Sequence, residues 1–186
     1  MKKQPLLHGR FFFSHRQKKV KGESQMKAED KQFAEKALQQ LLIGSQLDGI
    51  KFGAGPGGTF LYFLHYTEKE PDKLWVNIEI NKFTVLPAAI KHSGKALPMI
   101  EELTEEQAIK QVAGLRREEV TDVQLGDESP HLFIVFKSQK ALFINGYDEQ
   151  YECWQAGDGE GYTGDEWLVV AVPGNGIATW APDTFG

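Results

Sequence analysis

What the sequence lacks excludes several classes of protein. It has one cysteine, Cys153, so no intramolecular disulfide can form, which fits a reducing compartment such as the cytoplasm. No apolar run reaches the length of about 18 residues that a membrane-spanning helix needs. Five histidines are present, but none has the i, i+4 helical spacing of a zinc site, and Cys-x-x-Cys is absent. The serine hydrolase pattern G-x-S-x-G is also missing.

The charge of the chain argues against nucleic acid as a partner. The net charge is −5 over 186 residues, whereas proteins that neutralise phosphates are usually basic. Residues 1–25 carry +6, which leaves −11 on residues 26–186. We interpret residues 1–25 as a basic, disordered N-terminal arm. Two alternatives are a segment that binds a membrane surface or a partner, and a natural start at Met26.

A pattern of apolar residues occurs twice, 73 positions apart. Residues 47–63 and 120–136 match at eight positions without a gap. After a connection about five residues shorter in the second copy, Trp75-Val76-Asn77 falls on Phe143-Ile144-Asn145. A helix-like segment that ends in glycine precedes each copy. These shared features favour duplication over convergence of two hairpins on one pattern. The matched pairs are Leu47/Val120, Ile50/Val123, Phe52/Leu125, Gly53/Gly126, Phe60/Phe133, Leu61/Ile134, Tyr62/Val135 and Phe63/Phe136.

Periodicity places two helices and a series of short strands. A stripe of apolar residues predicts a helix over 27–43, which Gly44 ends in a left-handed conformation. Thr104 and Gln107 form a capping box that begins the second helix, and Gly114 ends it. Period-two runs predict strands at 47–52, 60–66, 74–81, 83–86, 120–125, 132–136, 141–145, 151–154, 167–172 and 177–180.

These elements define an α+β fold class. We expect two tandem helix-plus-antiparallel-β units, residues 26–86 and 103–154, and a C-terminal β-hairpin at 167–180. Together they form a single domain over residues 26–186. Phe63 and Phe136 occupy matched positions in the two units, and we expect both to be buried.

The segment Gly53–Gly58 contains the letters of the dinucleotide fingerprint G-x-G-x-x-G. That fingerprint requires a helix after the loop, but the β-forming run 60–66 follows here. A phosphate-binding P-loop would require lysine where Thr59 stands. The corresponding loop 126–132 has the same length without the glycine richness. We therefore predict a flexible hairpin loop.

The stretch Asn145–Trp167 is the strongest candidate for a functional surface. It is acidic throughout, has no Lys or Arg, and carries interleaved tyrosine and tryptophan residues. Such a surface can bind a protein, although a solvated acidic loop over core aromatics would look the same. Tyr162 and Thr163 break the order of a calcium-binding loop. The neighbours of Cys153 in the sequence are acidic, which raises the pKa of a thiol and disfavours a nucleophilic role. We therefore predict that Cys153 is a buried structural cysteine. The candidate partner-binding residues are Asp148, Glu149, Asp158, Glu160, Tyr162, Asp165 and Glu166.

Three functions compete. Small acidic α+β chains without a catalytic constellation resemble the immunity proteins of bacterial toxin systems, a resemblance of layout and composition over residues 26–186. It implies a non-catalytic module that binds a protein and needs no cofactor or metal, and the acidic stretch favours a basic partner. The alternative is a β-rich domain that binds carbohydrate or another small molecule through Trp75, Trp154 or Trp180. An enzyme using Asp165 and Glu166 is disfavoured, since neighbouring strand residues point to opposite faces.

If the acidic stretch does not bind the partner, the sheet face around Trp75 and Glu79 is the next candidate.

Overall fold

The structure is a computed structural model that describes residues 26–53, 58–68, 71–79, 82–89, 103–159 and 164–185. The predicted N-terminal arm lies outside these ranges, as do Glu160 and Tyr162. The described residues form two helices and ten strands. They are α1 (Ala28–Leu42), β1 (Gln46–Phe52), β2 (Thr59–Leu64), β3 (Lys73–Ile78), β4 (Phe83–Pro87), α2 (Glu105–Ala113), β5 (Val120–Leu125), β6 (Leu132–Phe136), β7 (Lys140–Ile144), β8 (Trp154–Asp158), β9 (Leu168–Val172) and β10 (Gly176–Trp180).

The helix boundaries follow the signals in the sequence. Gly44 has a φ of +87°, the left-handed conformation predicted after α1. At the start of α2, Thr104 accepts from the backbone nitrogen of Gln107, whose side chain accepts from the backbone of Thr104 in turn. The predicted capping box is therefore confirmed. Gly114 differs from Gly44, because it ends α2 in the right-handed region with a φ of −69°.

The strands form two antiparallel sheets, which together with the two helices confirm the α+β class. One sheet has six strands in the order β1-β2-β3-β8-β9-β10, and the other has four in the order β4-β7-β6-β5. Every pairing within them is antiparallel. The segment 53–58 joins two antiparallel strands, as the hairpin interpretation predicts, although residues 54–57 lie outside the described part of the chain.

The hairpins β1–β2 and β5–β6 have the same register at an offset of 73 residues. Leu47 pairs with Phe63, and Val120 pairs with Phe136. The ladder is irregular directly after this pair in both hairpins. Phe63 and Phe136 are both buried, as predicted. The other equivalent pairs are Gly49–Tyr62 with Asp122–Val135, Ile50–Leu61 with Val123–Ile134, Lys51–Phe60 with Gln124–Phe133, and Phe52–Thr59 with Leu125–Leu132.

The third strands correspond differently from the predicted alignment. Asn77 pairs with Phe60, and Phe143 pairs with the equivalent Phe133, so the partner of Asn77 in the repeat is Phe143. The predicted equivalence of Asn77 with Asn145 is wrong by two residues. A shift of two leaves every side chain on the same face of a strand, so the apolar pattern could not detect it.

The fourth strand of each predicted unit lies in the sheet of the other unit. β4 pairs with β7, and β8 pairs with β3. The predicted strand 151–154 is wrong, since β8 begins at Trp154 and continues to Asp158. Glycine and aspartate are unusual in strands, which hid the end of β8 in the sequence. Gly157 is required there, because a Cβ would lie 2.6 Å from the carbonyl oxygen of Trp167.

The inward faces of both sheets and one face of each helix form a single hydrophobic core. Alternation over residues 74–81 is typical of a strand with one solvent-exposed face, but β3 is buried on both faces. Trp75 and Asn77 on its outer face are buried, as is Val76 on its inner face.

Helix side chains cover the two open edges of the four-stranded sheet. On one edge, Glu35 of α1 accepts from the backbone nitrogen of Leu125 at 3.0 Å. On the other, the side chain of Gln111 in α2 accepts from the backbone nitrogen of Val85 at 3.0 Å. Unpaired strand edges invite association with other chains, so these contacts protect both edges.

Candidate functional site

Asp148 holds a tight turn at the start of the acidic stretch. Its Oδ1 accepts from the backbone nitrogen of Gln150 at 2.9 Å and from that of Tyr151 at 3.0 Å. These two bonds lower the pKa of the Asp148 carboxyl, and the charge of Lys82 acts in the same direction. The carbonyl of Asp148 also accepts from Gly174 at 2.7 Å. The side chain of Asp148 therefore shapes the loop.

This turn presents two tyrosines to solvent. The exposed fraction is 42% for Tyr147 and 65% for Tyr151, and Glu149 between them is exposed as well. We call residues 146–151 the tyrosine loop. Its position is fixed by Gly146, which packs so closely on Pro130 that a Cβ would lie 2.0 Å from the carbonyl oxygen.

Asp158 lies apart from this loop and is buried. Its Oδ1 accepts from the backbone nitrogens of Glu166 at 3.1 Å and of Trp167 at 2.9 Å. The prediction that Asp158 is an exposed partner-binding charge is therefore wrong. The carboxylate instead pairs two backbone donors that would otherwise be left without an acceptor in the connection to β9.

The candidate residues do not form one patch. Asp148 and Glu149 precede β8, whereas Asp165 and Glu166, both exposed, follow its far end. A five-residue strand advances roughly 15 Å, so the two acidic groups lie at opposite ends of β8. Glu160 and Tyr162 lie outside the described residues.

A group of polar side chains beside the tyrosine loop was not singled out by the sequence analysis. Asn77 and Gln155 are direct partners in the β3–β8 ladder. Asn77 Nδ2 donates to Glu79 Oε1, and Gln155 Nε2 donates to Glu152 Oε2 at 2.8 Å. We call these four residues the amide–carboxylate cluster. Glu152 and Gln155 lie within the predicted stretch Asn145–Trp167, and Glu79 lies on the alternative face. The sequence could not show that they meet, because the pairing of β3 with β8 cannot be deduced from either strand alone.

Within this cluster, the charge of Glu152 acts on the carboxyl of Glu79. Burial raises the pKa of Glu79, the hydrogen bond from Asn77 opposes that rise, and the charge of Glu152 adds to it. The two carboxylates are therefore near enough to repel each other.

The tryptophans do not form the predicted carbohydrate platform. Trp75 and Trp154 are buried, and their indole nitrogens donate to the backbone carbonyls of Asp158 at 2.9 Å and Pro130 at 2.8 Å. The prediction that Trp75 and Trp154 are exposed ligand-binding rings is wrong. Of the three tryptophans proposed for that role, Trp180 is exposed.

Cys153 is buried, as predicted. Burial raises the pKa of its thiol to about 11, with a further contribution from the charge of Asp148 that Lys82 partly offsets. A thiol with so high a pKa is a poor nucleophile at neutral pH.

In the described part of the chain, no group of three or more His, Cys, Asp and Glu side chains is arranged to hold a metal ion. None of the helices in those same ranges is long and apolar enough to cross a membrane.

Comparison of the chain with protein-family models, curated proteins and solved structures gives no match.

Proposed function

We propose that this protein is a non-catalytic protein-binding module whose contact surface is centred on the tyrosine loop. The observation that carries the proposal is that Tyr147 and Tyr151 are exposed on a turn already fixed by the Asp148 carboxylate. Tyrosine is among the residues that dominate binding energy at interfaces. A loop ordered before binding also loses little conformational entropy when a partner docks.

The charges around the tyrosine loop favour a basic partner. Glu149 is exposed within the loop, and Glu79 and Glu152 lie beside it in the amide–carboxylate cluster. Acidic side chains at the rim of an interface speed the encounter with a basic surface and contribute less to the lifetime of the complex. This proposed site keeps Asp148 and Glu149 from the residues predicted from the sequence. It leaves out Asp165 and Glu166 at the other end of β8 and adds Tyr147 and Tyr151, with Glu79 and Glu152 beside them.

We further propose that the module neutralises a toxin, in the manner of the bacterial immunity proteins that the chain resembles. The small acidic α+β architecture and the preorganised, exposed loop support this assignment. A location in the cytoplasm belongs to the same proposal and is supported by the cysteine count, because a chain with Cys153 alone forms no intramolecular disulfide.

A duplication is also part of this proposal. The equal registers of the β1–β2 and β5–β6 hairpins support a common origin of the two units.

Affinity capture from the native host, followed by binding kinetics, tests the proposed function. We expect Tyr151→Ala and Tyr147→Ala to raise the dissociation rate by about 30-fold or more, equivalent to ~2 kcal/mol. Tyr66→Ala is the matched control, because Tyr66 is 60% exposed on a different loop, after β2, where its hydroxyl donates to Asp48. Unchanged kinetics in both tyrosine-loop variants would refute this surface.

A further inference from the structure

The amide–carboxylate cluster presents several acceptor atoms at one point on the outer face of the six-stranded sheet. Each carboxylate receives one hydrogen bond from an amide, through one of its two oxygens. The two amide nitrogens are used in these bonds, which leaves the amide oxygens of Asn77 and Gln155 as acceptors on the same face of the sheet, that of Asn77 being closed to solvent. The cluster thus combines two negative charges with neutral acceptors.

Asn77 provides a second, independent sign of a ligand. Only 5% of its surface is exposed, and its Oδ1 has no hydrogen-bond partner among the residues that the structure describes. A buried acceptor without a donor costs about 1–3 kcal/mol, so proteins usually satisfy such groups. A ligand that donates to Oδ1 would remove that cost.

From this arrangement we infer that the amide–carboxylate cluster is a subsite for a guanidinium group, supplied by an arginine side chain of the protein partner. The inference rests on the proposed protein-binding function and specifies the chemistry of the partner. A guanidinium is planar and always charged, and its five N–H donors can serve several acceptors at once.

One neighbouring side chain and the chemistry of the alternatives favour a guanidinium over other cations. Phe60 is the ladder partner of Asn77 on the side away from Gln155, and guanidinium planes stack on aromatic rings. An ammonium group offers three donors around one point and cannot lie flat between the acceptors. Calcium requires six to eight oxygen ligands in one shell, and the described residues include no group of three or more His, Cys, Asp and Glu side chains placed to hold a metal ion.

The electrostatics of the cluster fit the same ligand. Burial raises the pKa of Glu79 and the charge of Glu152 adds to that rise, and a cation between the two carboxylates relieves their repulsion. Because Oδ1 of Asn77 is closed to solvent, the incoming group must displace a side chain.

The test uses the full chain and blocked arginine, Nα-acetyl-arginine amide, as the probe. The side-chain amide signals of Asn77 and Gln155 are followed by nuclear magnetic resonance during titration. We expect saturable shifts with arginine and at least fivefold weaker binding of the equivalent blocked lysine. Glu79→Gln and Glu152→Gln should each weaken arginine binding about tenfold, because each removes a charge-assisted hydrogen bond.

Glu29→Gln is the control, because it removes the same charge from the exposed first turn of α1. Its affinity for the probe should stay within twofold of the original. The inference fails if arginine causes no saturable shift, if the Glu29 variant loses as much affinity as the cluster variants, or if calcium ions give the same shifts at lower concentration.

This titration needs no partner, so it separates the two proposals. Arginine binding together with unchanged partner kinetics in the tyrosine variants would support the subsite and refute the proposed surface. The opposite pair of results would refute the subsite alone.

Discussion

The backbone nitrogen of Gly146 donates a hydrogen bond to Nδ1 of His131 at 3.0 Å. The ring can accept this bond only while Nδ1 carries no proton. Burial lowers the pKa of His131 below its usual value of 6.5. Since this bond fixes the first residue of the tyrosine loop, the ionisation of His131 links the placement of the loop to pH.

We expect the loop to loosen in acid. The folded pKa of His131 lies below the unfolded one, so its contribution to stability is complete above pH 6.5 and is lost as the pH falls from there through the folded pKa. Nuclear magnetic resonance titration of the ring, with the amide signals of Tyr147 and Tyr151, measures both events. A His131 pKa at or above 6.5, or loop signals that do not follow the ring, would contradict this prediction.

Glu35 is expected to stabilise the fold by protecting the edge strand β5. Glu35→Ala leaves the part-buried backbone nitrogen of Leu125 without its acceptor and should lower the free energy of unfolding by about 1–2 kcal/mol. Glu35→Gln keeps an acceptor and should lose less than half of that amount. Urea denaturation measures both variants, and equal losses would show that charge, rather than the hydrogen bond, is what matters.

Phe63 and Phe136 should be equally important to the core. Both rings are buried at equivalent positions, so replacing either with Ala should lower the free energy of unfolding by roughly 3–5 kcal/mol. Phe52→Ala is the control, because that ring is exposed and its loss should change stability by less than about 0.5 kcal/mol. A difference of more than ~2 kcal/mol between Phe63→Ala and Phe136→Ala would mean that the two copies pack differently.

Cys153 should resist thiol reagents in the folded protein. With a pKa of about 11, its thiolate is scarce at pH 8, and burial blocks access to the sulfur. We expect reaction with a chromogenic disulfide reagent to be complete in denaturant and at least 100-fold slower in buffer. Rapid labelling of the folded chain would contradict the placement of Cys153 in the core.

Local patterns in the sequence predicted most of the secondary structure. The capping box at Thr104, the left-handed Gly44 and the hairpins of the repeat all depend on neighbours a few residues away, so the sequence carries enough information. The hairpin β9–β10 is equally local, with its turn at Pro173–Gly176.

The site was predicted less well, because it depends on pairing between distant strands. Asp148 and Glu149 were identified from composition, but composition could not show that Asp158 serves as an internal acceptor. The cluster around Asn77 required the pairing of β3 with β8, two strands more than 70 residues apart in the chain. No local pattern encodes that contact.

The exchange of β4 and β8 between the sheets has a consequence for the integrity of the polypeptide. A break in the backbone between β4 and α2 would leave β4 on the first fragment, away from β5, β6 and β7, and would leave β8, β9 and β10 on the second, away from β1, β2 and β3. Helix α1 would also be separated from β5, against which it packs. Neither fragment can bury its apolar surface alone, yet each carries what the other lacks. The chain is therefore suited to complementation, in which two inactive pieces restore the whole when they meet.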